Sequence, residues 1–129
     1  MRNYQYKKNN PYWLRPKLYQ RVRLMVEEYD EIKLALSDII EESPAPDGMP
    51  RGNMPADPTA NKAVRAELLF NQITAIEQGL KSIPFFYRKG VWNHAVHGTP
   101  FPCEGADRST WYRYQGRFLY NIAKILGEI

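Results

Sequence analysis

The residues best suited to hold a metal are His94, His97 and Cys103, with Glu104 beside the thiol. Two histidines at i and i+3 share a helix face, and imidazole, thiolate and carboxylate all ligate zinc. A structural zinc needs four dependable ligands, however, and this spacing matches no familiar site, so no metal or other cofactor is expected. Nucleophilic and phosphoryl chemistry find no better footing. The chain has no phosphate-cradling glycine loop, no nucleophile elbow and no HExxH. Glu27, Glu28, Asp30 and Glu31 crowd one stretch in the manner of a solvated helix side. A non-enzyme is therefore expected.

Recognition chemistry is better represented. With Trp111, Phe118 and Ile122 turned inward, a wheel at 100° per residue leaves Ser109, Arg113, Gly116, Arg117, Tyr120 and Lys124 outward, with Tyr112 at the flank. That face holds three cations and no acid. The arginine fork can take a phosphate or the major-groove edge of guanine in two bonds, and hydroxyls at a helix start can bond phosphate oxygens. Gly116 is a poor helix former that suits a face where another backbone comes close. The same residues would also serve as a plain solvated surface. A second basic segment is the N-terminal arm, where Tyr4, Tyr6, Tyr12 and Trp13 alternate with Arg2, Lys7, Lys8 and Arg15. Such a segment could track phosphates and stack on bases, although a frayed tail is the plainer reading of its first ten residues. Tyr12 and Trp13 are expected to fold back as core aromatics.

These side chains must be positioned by a small scaffold. A chain of 129 residues can bury one core, and 43% hydrophobic with 25% charged residues is ordinary globular composition. The single cysteine, Cys103, excludes an internal disulfide. No apolar stretch is long enough for a membrane span and the N-terminus lacks a secretory pattern, so a cytoplasmic protein is expected. Charge is unevenly spread. Residues 1–23 carry seven bases and no acid, residues 24–42 seven acids against Lys33, and residues 84–129 six bases against three acids.

The hydrophobic period is helical throughout. Leu18, Val22, Met25, Tyr29, Ile32, Leu36 and Ile39 follow a four-three seam that predicts one helix from Lys17 to Glu42, roughly 39 Å long. Residues 43–57, with four prolines and two glycines, form a loop of the length that is often functional. Asp57-Pro58 then starts a second long helix to about Ser82, with Ala66, Leu69, Ile73, Ile76, Leu80 and Ile83 on its seam. The matched seams predict a long antiparallel helical hairpin. A third helix runs from Pro84 to a stop at Gly98, TPFPCEGA forms a turn, and a fourth starts at Asp107 or Ser109 and buries Trp111, Tyr114, Phe118, Ile122 and Ile125. Leu24, Leu34, Ile40, Leu68 and Phe70 fall off the seams and need either the C-terminal helices or a second subunit to cover them.

PDGMPRG at Pro46–Gly52, DPT at Asp57–Thr59, AIEQGLKSIPFFYRKGVW at Ala75–Trp92, and the YR and GRF of the last helix together resemble small bacteriophage-encoded regulators of the RinA and ArpU type. The likeness spans most of the chain from about Leu14. It implies control of late phage genes and a C-terminal part like the fourth region of bacterial sigma factors, a helix–turn–helix that docks on promoter DNA. One departure is visible, because residues 98–106, with Pro100 and Pro102, leave no room for the short helix such a unit has between its last two.

The combined expectation is an all-α protein with three parts: a basic arm at 1–15, a helical hairpin at 16–83 with its proline-rich loop at 43–57, and a helix–turn–helix-like pair at 84–129. The wheel and the resemblance together assign double-stranded DNA to Arg108, Ser109, Thr110, Tyr112, Arg113, Arg117 and Lys124. A homodimer in a bacterial host cell is expected, with RNA polymerase as a further partner. The alternative is a non-catalytic phage interaction protein, a polymerase adaptor or packaging component, that binds through the seams and the PDGMPRG loop.

Overall fold

Proline marks where helices begin in this chain, because its missing N–H costs nothing in a first turn. The computed structural model describes residues 10–42 and 58–129. They form five helices: α1 (Pro16–Glu27), α2 (Tyr29–Glu42), α3 (Pro58–Lys81), α4 (Phe85–His97) and α5 (Arg108–Ile125). Pro16 opens α1, Pro58 opens α3 and Pro84 immediately precedes α4. The all-α class expected from the periodicity is observed. The basic residues before Asn10, and the proline-rich loop 43–57 with its expected Asp57 cap, lie outside the described residues.

The first long helix is two helices. Glu28, at φ −88° and ψ 8°, interrupts it, and its N–H is shared between the carbonyls of Leu24 and Met25, both at 3.1 Å. The break lets one continuous apolar seam serve two partners, since α1 packs on α4 and α5 while α2 packs on α3. A straight rod would have pointed half of that seam at solvent. Tyr29, the first residue of α2, meets Trp92 of α4 edge-on at 4.7 Å and ties the bend to the C-terminal helices. The helix pair of the first half is thus α2 with α3, and α1 belongs to the C-terminal layer.

The core is where α1, α3, α4 and α5 meet. Leu18 and Val22 of α1, Ile76 of α3, Val91 of α4 and Phe118 and Ile122 of α5 are buried there. Polar ties at the helix ends hold the arrangement. Arg88 of α4 donates from Nε to the Ile83 carbonyl and from Nη2 to the Lys81 carbonyl, both at 3.0 Å. It thereby satisfies acceptors that the end of α3 leaves open. Asn121 of α5 donates to the Ser82 hydroxyl at 2.9 Å, and Arg21 of α1 pairs with Glu128 at 3.1 Å.

Two expectations about α5 are corrected. Ile125 is 46% exposed, because the helix ends there and the chain turns away at Gly127, φ +77°, where the Glu128 N–H bonds the Ala123 carbonyl at 2.9 Å. Tyr114 is only half-buried. Of the two coverings considered for the off-seam residues, the C-terminal helices do not provide one. Leu24, Leu34, Ile40, Leu68 and Phe70 all remain exposed, and Val64 joins them.

Candidate nucleic-acid interface

The start of α5 is set by a short aromatic turn. Gly98, at φ +71°, ends α4 with its N–H on the His94 carbonyl at 3.1 Å, a left-handed conformation that glycine adopts freely. No helix intervenes before α5. Phe101 takes the place of that helix as a packing element: it stacks on His94 at 3.8 Å and on Trp111 at 5.7 Å, and stands edge-on to Tyr112 at 5.0 Å. Gly90 of α4 makes room, since a Cβ there would lie 2.7 Å from Cζ3 of Trp111. An open pocket of about 1030 Å³ borders this turn, lined by His94, Phe101, Arg108, Trp111 and Tyr112 among others.

Beneath the turn lies a buried polar set. Gln115 of α5 is fully buried and its side-chain oxygen pairs with Nδ1 of His94 at 2.5 Å, which places the proton on that nitrogen. The α1 residues Tyr19 and Arg23 are buried close by, with Arg23 Nη2 3.8 Å from Glu27. Burial holds His94 below its ordinary value of 6.5, the Gln115 hydrogen bond acts the other way, and Arg108 and Arg23 add to the lowering. Burial likewise lifts the Tyr19 phenol above 10.0, against the pull of Gln115 and Arg23 and with Tyr112 adding to the rise.

The signs give a pH window. An unfolded chain protonates His94 more readily than the folded one, so the stability from neutral His94 is complete above pH 6.5 and is lost as pH falls below it. Tyr19 contributes fully below pH 10.0 and loses its contribution as pH rises beyond. Urea unfolding is expected to show a stability plateau between these limits. His94→Gln should flatten the fall between pH 6.5 and about 5, above the carboxylate range. An acid limb unchanged in that variant would assign the fall to other groups.

The expected contact residues separate into two groups along α5. At its start Arg108 and Arg113 are exposed, Ser109 and Thr110 are half-buried, and the Arg108 guanidinium lies 5.6 Å over the Tyr112 ring. Asp107 occupies the cap position without a side-chain capping bond. Further along, residues of the arm lie across the helix. Leu14 is buried and anchors it, and Tyr12 sits 5.5 Å beneath the Arg117 guanidinium and edge-on to Tyr120 at 5.4 Å. Tyr12 and Trp13 are half-buried rather than core residues. The wheel therefore needs correction at its centre: Gly116 is buried, and Arg117 and Tyr120 are half-buried, while Lys124 stays exposed near the helix end. Among the described residues, its own helix backbone and chain neighbours aside, none comes within 4 Å of a Cβ built on Gly116, so its expected close neighbour is not found among them.

The residues considered for metal do not converge. His94 faces Gln115, His97 Nδ1 lies 3.9 Å from Asp30, and Cys103 is exposed. Among the described residues no three His, Cys, Asp or Glu come together. Two features escaped the sequence reading. Gln115 looked like one more polar residue of an amphipathic helix, and its place between Trp111 and Phe118 was the only sign of burial. Phe85 and Phe86, the opening residues of α4, are strongly exposed despite their apolar character.

Charge completes the site. From Gln78 to Gly127 the chain carries seven bases and only two acids, Glu104 and Asp107, whereas α2 carries five acids against Lys33. The fold and site thus define an all-helical protein with a basic C-terminal unit and an acidic α2. Compared with known proteins, the chain matches no family model, no curated protein and no solved structure. No helix among the described residues is long and apolar enough to cross a membrane.

Proposed function

We propose that the chain is a non-catalytic, phage-type transcriptional regulator that binds double-stranded DNA through α5 and controls late genes. The observation that carries this reading is the accessible, acid-free start of α5 after its cap, with Arg108 and Arg113 exposed and Ser109 and Thr110 beside them. Hydroxyls and backbone N–H groups at a helix start position phosphates, and an arginine fork reads guanine edges. The resemblance to phage regulators of the RinA and ArpU type supports the same class. Arg113→Ala is expected to weaken duplex binding by about ten-fold or more and to lower the log–log salt slope by about 0.9 per phosphate contact removed. Arg117→Ala should cost less, because Tyr12 already holds that guanidinium. Fluorescence anisotropy at fixed salt checks both, and an Arg113→Ala affinity equal to wild type would sink the assignment. A gene position directly upstream of a packaging cluster would support the late-gene role.

In this reading the chain acts as a homodimer in the bacterial cytoplasm, with exposed Leu34, Leu68 and Phe70 of α2 and α3 covered by the second copy. Light scattering should give the dimer mass, and Leu68→Lys with Phe70→Lys should give the monomer. A monomeric wild type at tens of micromolar would remove the dimer. Those same exposed residues favour a second reading, a phage interaction protein that docks on RNA polymerase or a packaging component. Pull-down of polymerase without any promoter-DNA gel shift would select it.

A further inference from the structure

Phe85 and Phe86 open α4 at 83% and 63% exposure. Single exposed apolar side chains are common, but two adjacent phenyl rings left in water call for a partner. Their surroundings are ordered. The Arg88 guanidinium, held by the Ile83 and Lys81 carbonyls, stands 5.7 Å from the Phe85 ring. Phe86 leans on Gly105, where a Cβ would lie 2.8 Å from its Cζ, and meets Tyr87 edge-on at 5.0 Å. Tyr87 in turn stacks on Tyr114 of α5 at 4.2 Å and 22°. An aromatic row therefore runs from the Phe86 ring to the helix that carries Arg113.

Along α4 and the segment before it the charge is of one sign, and the acid that adjoins the ledge is Glu104, next to the Gly105 that Phe86 touches. No acid occurs between Glu77 and Glu104, while Lys81, Arg88 and Lys89 do. Flat apolar rings among cations complement a polyanion that also offers flat apolar faces, and a nucleic acid is that polymer. In an intact duplex those faces are stacked on one another, so rings reach them only where the stack is opened. From this juxtaposition we propose that Phe85 and Phe86 stack on unstacked nucleobases next to the phosphates held by α5, and that the chain prefers opened or mispaired DNA over a perfect duplex. The proposal rests on α5 being a DNA contact.

The test is anisotropy at fixed salt on a labelled duplex and on the same duplex with a short central mismatch bubble. Wild type is expected to favour the bubble by about ten-fold or more, the scale of one or two base–aromatic stacks. Phe85→Leu with Phe86→Leu keeps apolar bulk and removes the flat faces, so it should lose that preference while retaining wild-type duplex affinity. Matching circular dichroism melts would show that the variant is folded, and Phe85→Ser alone, at the more exposed position, gives a second variant that leaves the Phe86 contacts in place. A wild type that does not discriminate, or Leu and Ser variants that discriminate as well as wild type, would overturn the stacking role while leaving α5 as a DNA contact. Absence of binding to either DNA would remove the α5 reading along with it. Variants with unaltered DNA binding that fail to retain polymerase in a pull-down would reassign the ledge to a protein partner and overturn the proposal.

Discussion

Truncating Trp111 to alanine is expected to destabilise the chain by about 3–5 kcal/mol, the usual cost of removing a large aromatic from a core. Trp111 is 3% exposed and is the hub of the turn that sets α5, with Phe101 stacked on it at 5.7 Å and Tyr87 edge-on at 5.1 Å. Gly90 has no side chain to fill the hole, and Phe101 cannot keep its stacks on both His94 and Trp111 once one of them is gone. The indole Nε1 has no hydrogen-bond partner among the described residues, so its removal strands no acceptor there. The cost is therefore one of packing. Urea or thermal unfolding measures it, and a loss under about 1 kcal/mol would show that the turn is positioned by other contacts. Trp111→Phe should recover more than half of the lost stability, since it restores most of the buried ring.

The second large effect is expected where α3 meets α5. A Cβ on Gly79 would lie 2.7 Å from Cγ1 of Ile122 and 3.2 Å from the Phe118 carbonyl oxygen. The first neighbour is a buried side chain and the second is backbone, so relief requires the two helices to part. Gly79→Ala is expected to cost about 1–3 kcal/mol by overpacking, and Gly79→Val more, because a branched Cβ enlarges the clash. Gly116→Ala is the matched control. It sits in the interior of α5 with no described residue packed within 4 Å of a Cβ, its own helix backbone and chain neighbours aside, so alanine should stabilise by about 0.5–1 kcal/mol through helix propensity. A destabilised Gly116→Ala, or a neutral Gly79→Ala, would reverse the assignment of which glycine the packing requires.

Helix existence was legible because it depends on neighbours in sequence. Prolines at 16, 58 and 84, the stop at Gly98 and the 3.6-residue apolar stripes locate helix ends within a residue or two of those observed. Period alone does not say which helix a stripe packs against. The seam from Leu18 to Ile39 therefore read as one rod, while the fold bends it at Glu28 to serve two sets of partners. The same limit explains Leu34, Leu68 and Phe70: their exposure follows from where α4 and α5 lie, which no window along α2 or α3 contains.

The basic outer face of α5 divides along the same line. Residue types and their 100° steps were enough to put Arg113 and Lys124 on a solvent face, and both are exposed there. Arg117, one turn from Arg113 on the same wheel, is instead gripped by Tyr12, more than a hundred residues earlier in the chain. Its fate was settled by a long-range contact anchored at Leu14. Gln115 was settled likewise, since whether a polar residue at the edge of a stripe is buried depends on a partner, here His94, supplied by another helix. Amphipathic period is a local property that the chain carries in any conformation. Burial of a particular polar or cationic group is a property of the assembled helices, because only the assembly supplies the donor, acceptor or ring that makes that burial affordable.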